Sequence, residues 1–222
     1  MPLPTRILKL VHFEGPAGRL EGLWSDPGGG LSPAVICHPH PAHGGSMHSK
    51  VVHTIYRVLS KAGHPSIRFN FRGVGASQGS FSGWDGEVGD VAAAAAFARA
   101  ETGMTPVWLA GFSFGSWVGS KWALGQCPGG VERMILLGVP VDRNVDDRAF
   151  DHLEAAARLP GPLLIVQGEN DQYGSAASVI ALRDRLAARG PVEARIVPGA
   201  DHFFTGKLHQ LEAALTEGLG LS

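Results

Sequence analysis

The chain has 222 residues, 44% of them hydrophobic and 18% charged, with a formal net charge of −1. That length suits one α/β domain with a substantial core, so a single domain over residues 1–222 is expected. The near-zero charge excludes the basic footprint of a nucleic-acid or anionic-membrane binder, and no apolar run approaches a membrane span. The two cysteines, Cys37 and Cys127, make no disulfide framework. With no clear secretory leader at the start of the sequence, a cytoplasmic location is expected.

The pattern predicts strands over residues 5–13 and 18–25, joined by a turn at Glu14-Gly-Pro-Ala-Gly18. The glycine run Gly28–Gly30 lacks a following Lys-Ser/Thr and reads as a turn rather than a phosphate loop. A short buried strand follows over 33–37, then a helix over 49–62 with Val52, Ile55, Val58 and Leu59 at helical spacing. Residues 65–71 alternate as a strand, 72–83 form a Gly/Ser loop, and 84–100 an alanine-rich helix. Strands over 105–110, 132–137, 162–167 and 192–197 alternate with helices over 116–124, 146–158, 175–189 and 206–218. An initial hairpin followed by alternating strands and helices implies a mostly parallel sheet covered on both faces. Too few residues separate the strands ending at Leu137 and starting at Pro162 for a large lid.

Gly111-Phe-Ser-Phe-Gly115 matches G-x-S-x-G, the nucleophile elbow of serine hydrolases. A serine on so sharp a strand-to-helix turn is strained, and bulky side chains two residues away on either side would collide. The predicted strand before it and helix after it supply the required setting. A serine hydroxyl needs a base, and the base needs an acceptor that fixes its tautomer. Asp171 and His202 follow in the order of that motif's partners, each in a loop just after a predicted strand. Glu169 and Asp142 are the competing acids, and Asp201 is expected to shape the turn of His202. An oxyanion hole needs two amides. Phe114, after the nucleophile, supplies one. In the loop His38-Pro-His-Pro-Ala-His-Gly-Gly45, Pro39 and Pro41 have no N–H, so His40 is the better second donor, with the 42–45 amides as the alternative. Trp84, Phe112, Phe114 and Phe203 are candidates for apolar pocket walls.

Over essentially its whole length the chain resembles the α/β-hydrolase superfamily. It looks most like the small lidless bacterial hydrolases that carry H-P-H-P-x-x-G-G-x-M, here His38 to Met47, and R-x-N-F-R-G-V-G-x-S-x-G, here Arg68 to Gly79. The resemblance implies an eight-stranded sheet with an antiparallel first hairpin. It also implies Ser113, Asp171 and His202 as nucleophile, acid and base, with no cofactor. It leaves the substrate open: a small ester is expected, with a thioester or a peptide-like acyl group as alternatives on the same triad. Arg72, between Phe71 and Gly73, reads either as a substrate-carboxylate ligand or as a tie between loops, the second being favoured.

Two other classes need weighing. His38, His40 and His43 have a spacing reminiscent of a zinc-dependent hydrolase, but Ala42 stands where a metal-binding aspartate would be expected. A non-catalytic binding module on the same fold would be expected to lack one of the three triad residues. A small-molecule acyl substrate, without nucleic acid or membrane, is the expected partner.

Overall fold

A computed structural model describes residues 8–125, 127, 130–142 and 150–221. It holds strands β1 (Leu8–Gly15), β2 (Gly18–Ser25), β3 (Ala34–Cys37), β4 (Ser66–Phe69), β5 (Val107–Phe112), β6 (Val131–Leu137), β7 (Leu163–Gly168) and β8 (Val192–Val197). The helices are α1 (Lys50–Lys61), α2 (Asp85–Thr102), α3 (Phe114–Gly125), α4 (Asp151–Ala155), α5 (Ala176–Leu186) and α6 (Leu208–Gly218). All eight strands form one sheet in the order β1-β2-β4-β3-β5-β6-β7-β8. The β1–β2 and β2–β4 pairs are antiparallel, and the others are parallel.

The expected elements are present, with shifts of a few residues at their ends. The first hairpin is tighter than expected: Gly15 pairs with Gly18, which leaves only Pro16 and Ala17 in the turn. Residues 5–7 of the first expected strand and 146–149 of the expected 146–158 helix lie outside the described residues. What is described of that helix is the five-residue α4, the only helix between β6 and β7 among the described residues. None of the described helices is long and apolar enough to cross a membrane.

Strands β3 and β5 are apolar throughout and β6 and β7 largely so, so both sheet faces must be covered. Alternation divides their side chains between two cores. Val35, Leu109, Leu136 and Ile165 join α2, α3, α4 and α5 on one face. Ile36, Ala110, Leu137 and Val166 join α1 and α6 on the other. In α1, Val51, Val52, Ile55, Val58 and Leu59 are buried while its two terminal lysines stay polar, as helical spacing requires. The alanines Ala94, Ala95 and Ala98 of α2 are fully buried.

The strand order fixes where a site can form. From β3 the chain crosses to β4 on one side and later returns to place β5 on the other, which opens a crevice beyond the carboxyl ends of β3 and β5. The loop after β3 begins at His38 and the turn after β5 carries Ser113. Arg72 has the structural role favoured from sequence. Its guanidinium donates to both Asp90 oxygens and to the Gly86 carbonyl, and its own N–H binds Asp90. This buried fork ties the loop after β4 to α2.

Candidate active site

Ser113 stands at φ +55°, left-handed backbone that a serine seldom adopts. Two donors hold the turn. The Ser113 N–H donates to the Leu137 carbonyl at 2.9 Å, and the one Ser116 hydroxyl hydrogen is shared between the carbonyls of Gly111 and Leu137, at 2.8 and 2.9 Å. A Cβ on Gly111 would overlap the Gly115 carbonyl, and one on Gly115 would overlap the Cys37 and His38 carbonyls. Both glycines are therefore set by close backbone approach. The turn leaves Ser113 half-buried and facing a cavity of about 410 Å³.

His202 arrives on the loop after β8. Its Nε2 lies 3.0 Å from Ser113 Oγ and its Nδ1 2.8 Å from Asp171 Oδ2. Asp171 is on the loop after β7 and is 5% exposed, His202 3%. The competing acids are occupied elsewhere: Glu169 accepts the Gly199 N–H and Asp142 the Ser175 N–H. Asp201 accepts the N–H groups of Phe203 and Thr205, which folds the turn that presents His202. The Thr205 amide in particular holds the Asp201 carboxyl below its ordinary pKa.

Phe112 and Phe203 line the cavity with Tyr173, Pro140, Lys50 and the 39–45 loop. Phe112 is 1% exposed and forms a wall, whereas Phe203 is 54% exposed at the rim. Trp84 and Phe114 do not line it. Both rings are buried behind it, with centroids 4.6 Å apart, because Trp84 packs edge-on against Trp117 of α3 and Phe114 packs against Phe71 instead of facing the cavity. In the 39–45 loop, the N–H groups of Ala42, His43, Gly44 and Gly45 all donate within their own turn, to His40 Nδ1, His40 O, Pro41 O and His40 O. His40 also lines the cavity.

The metal alternative does not fit these side chains. Both His38 ring nitrogens are engaged with backbone groups, and the His40 ring packs 5.0–5.6 Å from Phe81, Trp84 and Phe114. No three His, Cys, Asp or Glu side chains among the described residues converge as metal ligands.

His38 is instead a structural tie. Its Nε2 accepts the Phe71 N–H at 3.1 Å, so Nδ1 carries the hydrogen and donates to Pro39 O at 2.6 Å. Burial pushes its pKa down to about 4, and burial does the same to His152. Unfolded histidine takes its proton near pH 6.5, so between 6.5 and 4 the unfolded chain binds more protons. Stability is thus full above about pH 6.5 and falls as the pH drops, His38 alone contributing a loss on the order of 3 kcal/mol by pH 4. Urea unfolding at pH 7.5, 5.5 and 4.5 should show that decline, and it should be shallower in His38→Gln. An equal slope in both proteins would contradict the assignment.

Gln167, which sequence reading passed over, supports Asp171. It is fully buried at the end of β7, where its amide N–H groups donate to Asp171 Oδ2 at 2.8 Å and to Gly174 O at 2.7 Å. Its carbonyl accepts the Val139 N–H at 2.8 Å. The Tyr173 N–H holds the other Asp171 oxygen. The available signal was one amide at the end of the apolar run Leu163-Leu-Ile-Val-Gln167, since a buried polar group must find partners. Gln167→Leu would strand the Val139 N–H and lower stability by about 2–4 kcal/mol. It should also lower kcat at least tenfold with little change in KM. Urea titration and ester kinetics on the same variant check both, and a wild-type kcat would refute the positioning role.

A sheet of this order, with a strained serine after its central strand, defines an α/β serine hydrolase. The sequence profile of the family described as "Serine aminopeptidase, S33" matches residues 40–161. An uncharacterized protein from Rickettsia prowazekii is 34% identical over 218 residues, covering 94% of this chain and 87% of that one. An α/β serine hydrolase homologue from Coxiella burnetii superposes with a TM-score of 0.83 at 36% identity, over 95% of this chain and 97% of that one. A lidless α/β serine hydrolase from Xanthomonas campestris gives 0.81 at 33% identity, over 99% and 96%. The chain belongs to the serine aminopeptidase S33 family of α/β hydrolases.

Proposed function

We propose that the protein hydrolyses carboxylic esters of small or short-chain substrates through an acyl-enzyme on Ser113. One observation carries this reading: the continuous line from Ser113 Oγ to His202 Nε2 at 3.0 Å and from His202 Nδ1 to Asp171 Oδ2 at 2.8 Å. Asp171 accepts from Nδ1–H, which leaves Nε2 as the base facing the hydroxyl. Ser113 Oγ attacks the acyl carbonyl as His202 takes its proton. His202 then returns the proton to the leaving alkoxide, and water repeats the sequence to release the acid. The oxyanion is held by the amides of Phe114 and His40. Phe114 is the first residue of α3, so its N–H has no carbonyl one helical turn back to bind. The rival 42–45 amides are committed within their own turn, which favours His40.

A cavity of about 410 Å³ walled by Phe112, Tyr173 and Pro140 supports a small apolar acyl or alcohol group. Aminopeptidase activity, which the family's description names, would require a carboxylate for the substrate's ammonium group. Among the described residues lining the cavity, the one formally charged side chain is Lys50, of the wrong sign. That favours esters over amino-terminal peptides.

A fluorophosphonate label followed by peptide mapping tests the nucleophile. The expected result is a covalent mass on Ser113, absent in Ser113→Ala; labelling elsewhere, or none, would overturn it. A chain-length series of p-nitrophenyl esters and matching thioesters then ranks the acyl groups.

A further inference from the structure

A second depression of different character adjoins the catalytic cavity. Lys50 and Leu208 line both, and the second, of about 430 Å³, is completed by His48, His53, Thr54, Arg57, His209 and Glu212. Its chemistry is basic. The single carboxylate there, Glu212, is taken by two cations, Arg57 and Lys61. Beneath α1 lies a third cation, Arg68, which is 5% exposed. It donates to the Met47 carbonyl and lies over the Tyr56 ring, and among the described residues it has no ion-pair partner. Burial, then Arg68 and Arg57, lower the pKa of His53, so both cations are felt in the groove. Lys50 is in no ion pair among the described residues and stands where the apolar cavity meets this positive groove.

On the reading that Ser113 cleaves esters, we propose that the groove leading away from Lys50 is a subsite for an anionic group, a carboxylate or a phosphate, at the far end of the substrate. The apolar stretch between that group and the scissile bond fills the cavity, and Lys50 at the junction selects the charge. An opposite charge at a partly exposed lysine strengthens binding modestly, and salt screens it. Selectivity for the anionic ester should therefore be about five- to tenfold at low ionic strength.

The test compares the p-nitrophenyl monoester of glutaric acid with the neutral p-nitrophenyl valerate, of similar length. The ratio of their kcat/KM values should exceed one and shrink with added salt. It should persist in Lys50→Arg, be lost in Lys50→Gln and fall below one in Lys50→Glu. A ratio near one in the wild type, or one that survives Lys50→Glu, overturns the proposal. Binding is read independently of turnover in Ser113→Ala, from the imidazole NMR signals of His48, His53 and His209 during titration with glutarate and with inorganic phosphate. The two titrations separate a carboxylate site from a phosphate site. Shifts that disappear in Lys50→Glu support the subsite even if no ester is cleaved, which would count against the serine mechanism alone. Absence of shifts with both anions, while neutral esters are cleaved at Ser113, would count against the subsite alone.

Discussion

Replacing Ser113 with alanine lowers kcat/KM for an activated short-chain ester by roughly 10⁴- to 10⁶-fold, while the protein remains folded. The size follows from what the hydroxyl does in the proposed reaction. Without it there is no acyl-enzyme, and His202 has no proton to take at the 3.0 Å contact. The loss concentrates in kcat, because the cavity walls at Phe112, Tyr173 and Pro140 are untouched. In the proposed reaction Ser113, His202 and Asp171 act as a unit, so Ser113→Ala/His202→Ala should be scarcely worse than Ser113→Ala. Asp171→Asn should cost about 10⁴-fold, since an amide donor at Nδ1 favours the wrong imidazole tautomer. Stopped-flow ester assays on these three variants and on His202→Ala alone check the pattern. Multiplying losses in the double variant would mean that Ser113 and His202 act separately.

The second large effect is on folding. Gly115→Ala places a Cβ against the backbone carbonyls of Cys37 and His38, atoms that lie on β3 and its loop and cannot move aside as a side-chain tip would. The cost should be about 3 kcal/mol or more, beyond ordinary overpacking because main chain must shift. Activity should fall with it, because the same displacement separates the Phe114 amide from the His40 loop. Gly125, at the exposed end of the same helix, meets nothing within 4 Å, so Gly125→Ala should be neutral or slightly stabilising. Urea unfolding of the pair separates a steric effect from a propensity effect. Equal midpoints would sink the close-approach account.

Much of the architecture was legible because its signals are local. Apolar runs of strand length separated by helical spacing predict an alternating α/β chain, and the observed elements differ mainly at their ends. The elbow was legible for the same reason: Gly111, Ser113 and Gly115 lie within five residues and answer to one backbone turn. Trp84 was not. An aromatic residue that opens a helix after a Gly/Ser loop reads as pocket wall or core, and only its packing against Phe114 and Trp117 places it inside. Gln167 was hidden because its partners Val139, Asp171 and Gly174 belong to two different loops.

By itself the sequence determined the fold class, the strained serine and a short list of acids and bases, since each depends on residue type and near-neighbour spacing. Only the tertiary structure decided which partners meet. His202 lies 89 positions from Ser113 and 31 from Asp171, and spacing in the chain says nothing about distances across such separations. The sheet order decides it, by bringing the carboxyl ends of β5, β7 and β8 to one edge. The same folding carried Glu169 and Asp142 to other amides, committed the 42–45 amides to their own turn, and laid the basic face of α1 beside the mouth of the cavity.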